Sequence, residues 1–371
     1  MRRVGFARVS DSRRAHAGTP GAVLCWARPS VVERNHREAL MRSSYLLLPA
    51  FLSLAVTAAF VSPGDALSFH VEAKSKLTKT FVTKVEIASE SMSITIDGND
   101  ANGGAPGPKI DIVDNEKIEV TDEYVSVEDG RATKLVRHFD ELGGDGVQTT
   151  SMPEGSSIEA REQKIDKASP LDGKTVVFTW KDDAYAADWG GDEKGDDDLL
   201  EKLEADMDLV GLLPAKGVSE GDSWDLEAKL FNKISSPGGR LHLRDKEEAP
   251  EEEMPIQEEI EKNIDGEGKA TYKGTREVDG VKVGVIEITA ELESSGTIEA
   301  GDRENIIEFK VSYTGEALWD LKAGHLRSLE LAGKVKLSMD MKSSMEFNDQ
   351  EHELHERVEF AGTIAHRVSV E

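Results

Sequence analysis

The last third of the chain alternates apolar and polar residues for longer than an ordinary strand needs. Apolar residues stand at Ile307, Phe309, Val311, Tyr313, Ala317, Trp319 and Leu321. They recur at Leu329, Leu331, Val335, Leu337, Met339, Met341, Met345 and Phe347, and again at Leu354, Val358, Phe360, Ile364, Val368 and Val370. Charged residues such as Glu308, Lys310, Lys336, Asp340, Glu359 and Arg367 fall between them. Successive side chains of a strand point to opposite faces, so this period of two means ribbons with one buried and one wet face. At about 3.3 Å per residue, Leu329–Phe347 would span roughly 60 Å, far beyond the usual five or six residues of a strand. A ribbon of that length has to coil. The expected fold is therefore mainly β: a long, curved, half-barrel-like antiparallel sheet with one or two short helices packed on or in it.

Glycine marks where the ribbons bend. Gly315, Gly333 and Gly362 each take an apolar-face position, which signals a corner or a close approach. A loop over Asn348–Glu351 would set Phe347 opposite His352, Met341 opposite Val358, Leu337 opposite Gly362 and Gly333 opposite His366. Gly333 would then make room for His366. Six Asp-Gly pairs, beginning at Asp97, Asp129, Asp145, Asp172, Asp265 and Asp279, suit tight hairpins. The clearest spans Glu277–Val283. After it the apolar phase switches from Val281, Val283 and Val285 to Ile286, Ile288, Ala290 and Leu292, which predicts a bulge in that strand.

Two acidic segments interrupt the pattern. Residues 182–208 hold twelve acids and two lysines. Leu199, Leu200, Leu203 and Met207 predict a helix over 196–209, with acids at its positive end and Pro214 beyond it. Residues 245–261 hold nine acids and one lysine, and Ile256, Ile260 and Ile264 predict a short helix after Pro255. The acidic loop and helix at 182–217 thus divide an N-terminal β region, 67–181, from a long-stranded one, 218–371.

The first 66 residues read differently. Ser43–Gly64 carries no charge, follows Met41–Arg42 and ends near Gly64 and Ala66. That is the layout of an export signal over 41–66; an N-terminal membrane anchor is the alternative, since the span is just long enough. Residues 1–40 hold eight Arg, no Lys and the lone Cys25, and read as a non-native leader upstream of a start at Met41. Removal of 1–66 leaves 305 residues with 36 bases against 68 acids, a net charge of −32. This acidity argues against nucleic acid, whose phosphates call for clustered Lys and Arg. With no Cys in the remainder, disulfides and Cys metal sites are excluded, and a periplasmic or extracellular location is expected.

Three chemical motifs fail on context. Gly217–Gly221 matches G-x-S-x-G, but the strand-Ser-helix order of a nucleophile elbow is missing. Gly173–Lys174–Thr175 has Ala168 where a phosphate loop needs its first Gly, and a strand follows where a helix is required. His352 and His355 are one residue short of a zinc-helix spacing and, on a strand, point to opposite faces.

Two phrases carry a resemblance. Leu212–Leu213–Pro214 followed by Gly221–Asp222–Ser223–Trp224, together with Trp319–Leu326, resemble uncharacterised exported bacterial β-proteins. Some of those are similar to the coiled half-barrel of lipoprotein carriers. The resemblance implies a fold and a compartment, and transfers no catalytic residue.

A secreted, non-catalytic protein is thus expected, with no catalytic residue assigned. Its curved sheet would take an apolar ligand, an acyl chain or peptide, against Leu337, Met339, Met341, Phe360, Ile364 and His366, with Met339, Met341 and Met345 supplying adaptable side chains. The competing reading fills that concavity with the 196–209 helix as ordinary core. The alternative function is an extracellular structural or interaction protein with an acidic surface. Asp188, Asp192, Asp196 and Asp198 are its candidate Ca²⁺ ligands. No other cofactor is implied.

Overall fold

The computed structural model describes residues 67–371 apart from 102, 105, 129, 154–158, 247–255, 301–302 and 348–349. The leader, the export signal and the Met345 side chain lie outside the described residues.

Alternating residues build long strands: β1 (Lys76–Ile96), the short β2 (Asn99–Asp100), β3 (Lys109–Glu128), β4 (Arg131–Ser151), β5 (Arg161–Ala168), β6 (Thr175–Lys181) and β7 (Ala184–Trp189). A central segment, 190–243, carries β8 (Ser223–Leu226) and helix α1 (Ala228–Ser235). After it come β9 (Arg244–Asp245), α2 (Ile256–Asn263), β10 (Asp265–Val278), β11 (Val281–Ala300), β12 (Arg303–Asp320), β13 (His325–Phe347) and β14 (Gln350–Val370). Among the described residues they form one antiparallel sheet of 14 strands, not closed into a barrel; eleven follow the order β7-β6-β4-β3-β1-β14-β13-β12-β11-β10-β8, while β2 pairs β1 and β5 pairs β4 and β9 off this path. Strands from both sides of 182–217 join this sheet, since β1 pairs β14 from Lys79↔Val370 to Ile96↔Leu354.

The sheet wraps around the central segment. Arg137 of β4 donates to the Glu204 and Ala205 carbonyls at 2.8 Å each. Phe231 of α1 stacks on Tyr313 of β12, with centroids 5.8 Å apart. Two strands well separated in the sheet thus grip one strap. Val120, Phe139, Phe178, Met207, Leu209, Leu212, Ile234, Ile286 and Trp319 share a single buried core. Close strand approach sustains the curvature: a Cβ at Gly362 would collide with the Glu86 carbonyl of β1, and one at Gly315 with the Glu330 carbonyl of β13.

The β13–β14 register runs two residues away from the expected one. Phe347 faces Gln350, Leu337 faces Phe360, Met341 faces Glu356, Gly333 faces Ile364 and Leu331 faces His366. Because the shift is even, every side chain keeps its face. Gly333 accordingly makes room for the Tyr313 ring and Ile364, and Tyr313 reaches His366.

Asp97–Gly98 and Asp279–Gly280 are tight turns with positive φ at both residues (50° and 75°; 52° and 78°). Asp145–Gly146 and Asp265–Gly266 instead lie within β4 and β10. The expected bulge sits on the neighbouring strand: Tyr272 pairs Ile286 while Thr275 pairs Gly284, so the extra residue belongs to β10. On β11 both faces of Val283–Ile286 are buried, which accounts for the apolar phase switch there.

The helix over 196–209 does not form. A 3₁₀ turn at Asp197–Leu200 gives way to irregular chain and a second turn at Val210–Leu212. An α-helix would consume the Glu204 and Ala205 carbonyls that Arg137 takes. An extended run also lets Met207 and Leu209 enter the core while Asp206 and Asp208 turn to Lys233 and Lys79. The helix after Pro255 forms as α2, and α1 buries Leu230, Phe231 and Ile234. Gly217–Gly221 lies in a turn before β8, where the Asp222 amide donates to the Ser219 carbonyl.

Candidate functional site

Opposed residues on neighbouring strands share a face, so the register traces the inner surface row by row. One row runs Asp114–Val85–Ile364–Gly333 across β3, β1, β14 and β13; the next toward the strap runs Glu116–Thr83–His366–Leu331. Away from the strap, Phe360–Leu337–Phe309 and Met92–Val358–Met339–Ile307 follow. The six expected groove residues therefore share one face. Phe360 and His366 are buried, whereas Leu337, Met339, Met341 and Ile364 are half-buried.

His366 belongs to the core. The Thr83 hydroxyl pairs with its Nδ1 and the Tyr313 hydroxyl with its Nε2, both at 3.0 Å. Burial pushes its pKa down from 6.5 to about 4, so the ring is neutral near pH 7. Burial likewise holds the Tyr313 phenol in its protonated form, well above its ordinary range.

A cleft of about 1590 Å³ opens between β3–β5 and the α1–β9–α2 side. Ile112, Asp114, Glu116, Ile118, Ile165 and Lys167 form one wall; Lys202, Arg240, Glu258 and Lys262 are among the opposite lining. None of the six expected groove residues is among the residues lining this cleft. Asn232 Nδ2 donates to the Glu261 carbonyl at 2.8 Å, fastening α1 to α2, and Lys202 ties the strap to Glu258 at 2.9 Å.

The β wall is short of positive charge. Lys167 Nζ lies 2.6 Å from Asp114 Oδ2 and 3.7 Å from Glu116 Oε2. Asp114 Oδ1 is shielded from water and has no hydrogen-bond donor. Burial raises the Glu116 pKa, an effect that Lys167 only partly offsets. This trio was missed in the sequence, although a signal is present. Asp114 and Glu116 occupy inward positions between Ile112 and Ile118, interrupting the apolar phase.

The same signal marks a buried polar lock. Lys79, Asp122 and Arg137 are inward-facing and fully buried. Arg137 grips Asp122 with two bonds of 2.7 and 2.9 Å. Lys79 Nζ lies 2.8 Å from Asp122 and 2.6 Å from Asp208, and Tyr124 donates to Asp208 at 2.6 Å. Burial pulls Lys79 toward deprotonation, but the carboxylates outweigh it and hold its pKa well above the ordinary range. Asp122, disfavoured by burial, is held below its usual range by Arg137 and Lys79. Two cations balance two anions, and the set pins the strap inside the sheet.

At the far hairpins a second, shallow cleft of about 540 Å³ is lined by Asp97, Glu304, Lys342, Ser343 and His352 among others. His352 Nδ1 lies 2.7 Å from Asp97 Oδ2, and the Glu353 amide donates to Oδ1. The His352 bond and that amide lower the Asp97 pKa. His355 pairs instead with Asp340 at 2.7 Å.

The four proposed Ca²⁺ ligands are exposed. Asp188 lies on β7 opposite Val177, and Asp196 caps the 3₁₀ turn by accepting from the Asp198 amide. Among the described residues, no three acids or histidines converge as a metal site.

No protein-family model and no curated relative matches the chain. Among solved structures it is similar to OccK5 (OpdH) of Pseudomonas aeruginosa, at 9% identity and a TM-score of 0.16, over 80% of this chain and 99% of that one. A similarity at that level carries no structural argument.

Proposed function

We propose that this chain is an exported, non-catalytic carrier that holds the acyl chain of an amphiphile on the outer rows of its curved sheet. One observation carries the reading: packing on the inner face changes along the strands. Beside the strap the inward residues are closed core. Farther out Val358, Phe360 and Ile307 remain buried, while Met92, Ile94, Ile96, Leu337, Met339, Met341 and Leu354 stay half-exposed on that same face. Apolar side chains left open along one concave wall suit an apolar ligand, and the unbranched methionines adapt to its shape. The uncharged segment Ser43–Gly64 supports export.

Organic extraction of the native protein followed by mass spectrometry tests this directly. Acyl-bearing molecules should be recovered near one per chain. The neutral fluorophore N-phenyl-1-naphthylamine should bind saturably, and Met339→Glu should weaken it. Absence of both extracted lipid and saturable binding refutes the reading.

A further inference from the structure

The chain directly after the expected export signal is built into the fold. Leu67 is 7% exposed and belongs to the core, where it leaves no room for a side chain at Gly284 of β11. The Ser68 carbonyl accepts from the Trp319 indole at 3.1 Å. The His70 amide donates to the Gly324 carbonyl at 2.9 Å, and the His70 ring Nε2 lies 3.1 Å from the Lys322 carbonyl. Phe69 and Val71 pack against the same core. Ser68 and His70 keep exposed side chains, but their backbone groups are the ones engaged.

A protease that removes a signal by cutting after Ala66 takes the residues on both sides of that bond as extended, unpaired backbone. Leu67, Ser68 and the residues after them cannot occupy such an enzyme and this core together. Cleavage of a docked segment proceeds through its opened form, whose share of the population sets the rate. The partners that hold the segment come late: Ser68 and Trp319 are 251 positions apart, and His70 and Lys322 are 252 apart. A chain delivered from its N-terminus therefore leaves the bond after Ala66 open until those distant partners arrive. Resting on the export half of the reading above, and not on its ligand, we propose that docking of residues 67–71 closes the processing site. The signal is removed before this docking, or it stays attached. A chain that folds first keeps the uncharged segment Ser43–Gly64 and stays tethered to the membrane by it. The order of two events thus decides between a released and an anchored protein.

Order of addition tests this, with the full chain in dodecyl maltoside and a bacterial signal peptidase. In one arm the urea-unfolded chain is diluted into buffer that already holds the peptidase. In the other it first regains native circular dichroism, and the peptidase follows. N-terminal sequencing should find Leu67 as the new first residue in the first arm, and cleavage should be at least about tenfold slower in the second. His70→Ala deletes the ring and its Lys322 contact, four residues beyond the cut bond. It should speed cleavage of the prefolded chain about fivefold, the worth of one hydrogen bond. Gly324→Ala drives a methyl into the His70 ring and should act in the same direction. Gly98→Ala places similar backbone strain in a far hairpin with open space around it, and should leave the rate alone. Equal rates in both arms, or prefolded His70→Ala and Gly324→Ala chains as resistant as the wild type, overturn the seal while the export reading stands. No cleavage after Ala66 in either arm overturns the seal, and no cleavage anywhere within 41–66 overturns the export signal with it.

Discussion

Lowering the pH from 7.5 to 5.5 should cost this protein stability through one side chain, His366. Its ring is 2% exposed and held between Thr83 and Tyr313. Its pKa is about 4 in the folded state against 6.5 for the free side chain. The sign follows from proton counting. Between those two values the unfolded chain binds a proton that the folded chain does not, so stability rises with pH across that window. The contribution is whole above pH 6.5, is lost progressively as pH falls toward 4, and changes no further below that. The full loss is about 3 kcal/mol, and at pH 5.5 about 1 kcal/mol of it has gone. For a chain of this size 1 kcal/mol moves Tm by about 1–2 °C. Urea unfolding of the wild type and of His366→Gln at the two pH values isolates this contribution, since other titrating groups enter both proteins equally. The wild type should lose about 1 kcal/mol more than the variant. The His366 Cε1 proton should show no titration above pH 5 by NMR. A midpoint near 6.5, or identical pH slopes in the two proteins, would refute the argument.

Four further outcomes follow from the packing. Asp122→Asn leaves Lys79 and Arg137 facing each other in the core and should cost about 3–5 kcal/mol in urea unfolding. The exposed pair Lys310–Glu293, 3.2 Å apart, should by contrast yield at most about 1 kcal/mol in a double-mutant cycle. Gly362→Ala drives a methyl into the Glu86 carbonyl and should cost about 1–3 kcal/mol, read as a lower denaturation midpoint. Tyr313→Phe removes the partner of His366 Nε2 and should cost about 1–2 kcal/mol at pH 7.5, by the same measurement.

The sheet was legible because period-two alternation over three successive long segments leaves few other ways to bury Leu337, Val358 and Phe360. Hairpin register was less legible. Pattern fixes which face a residue takes but not an even slip, so the true register is invisible in it although Leu337 and Phe360 fall to one side. The strap was misread as a helix. Leu199, Leu200, Leu203 and Met207 do have helical spacing, but two peptide carbonyls there are claimed by an arginine more than sixty residues earlier in the chain. A long-range claim of that kind leaves no local trace. The cleft wall was missed because its signal is a defect in a pattern. Asp114 and Glu116 hold inward positions, as do Lys79, Asp122 and Arg137. Among so many acids, only register separates the inward ones from the solvated ones.

The pairing of β1 with β14 also governs assembly. Lys79 meets Val370, 291 positions later in the chain, and this seam runs through the middle of the sheet, not along its rim. Without β14 no strand pairing joins the two wings, which meet through the strap and residues 67–71, and each shows a raw hydrogen-bonding margin. Closing so wide a loop is entropically costly and kinetically late. A nascent chain of this design has no continuous sheet before β14 is free to dock. Removing β14 would break the sheet at its midline, whereas loss of a rim strand such as β7 would only trim it.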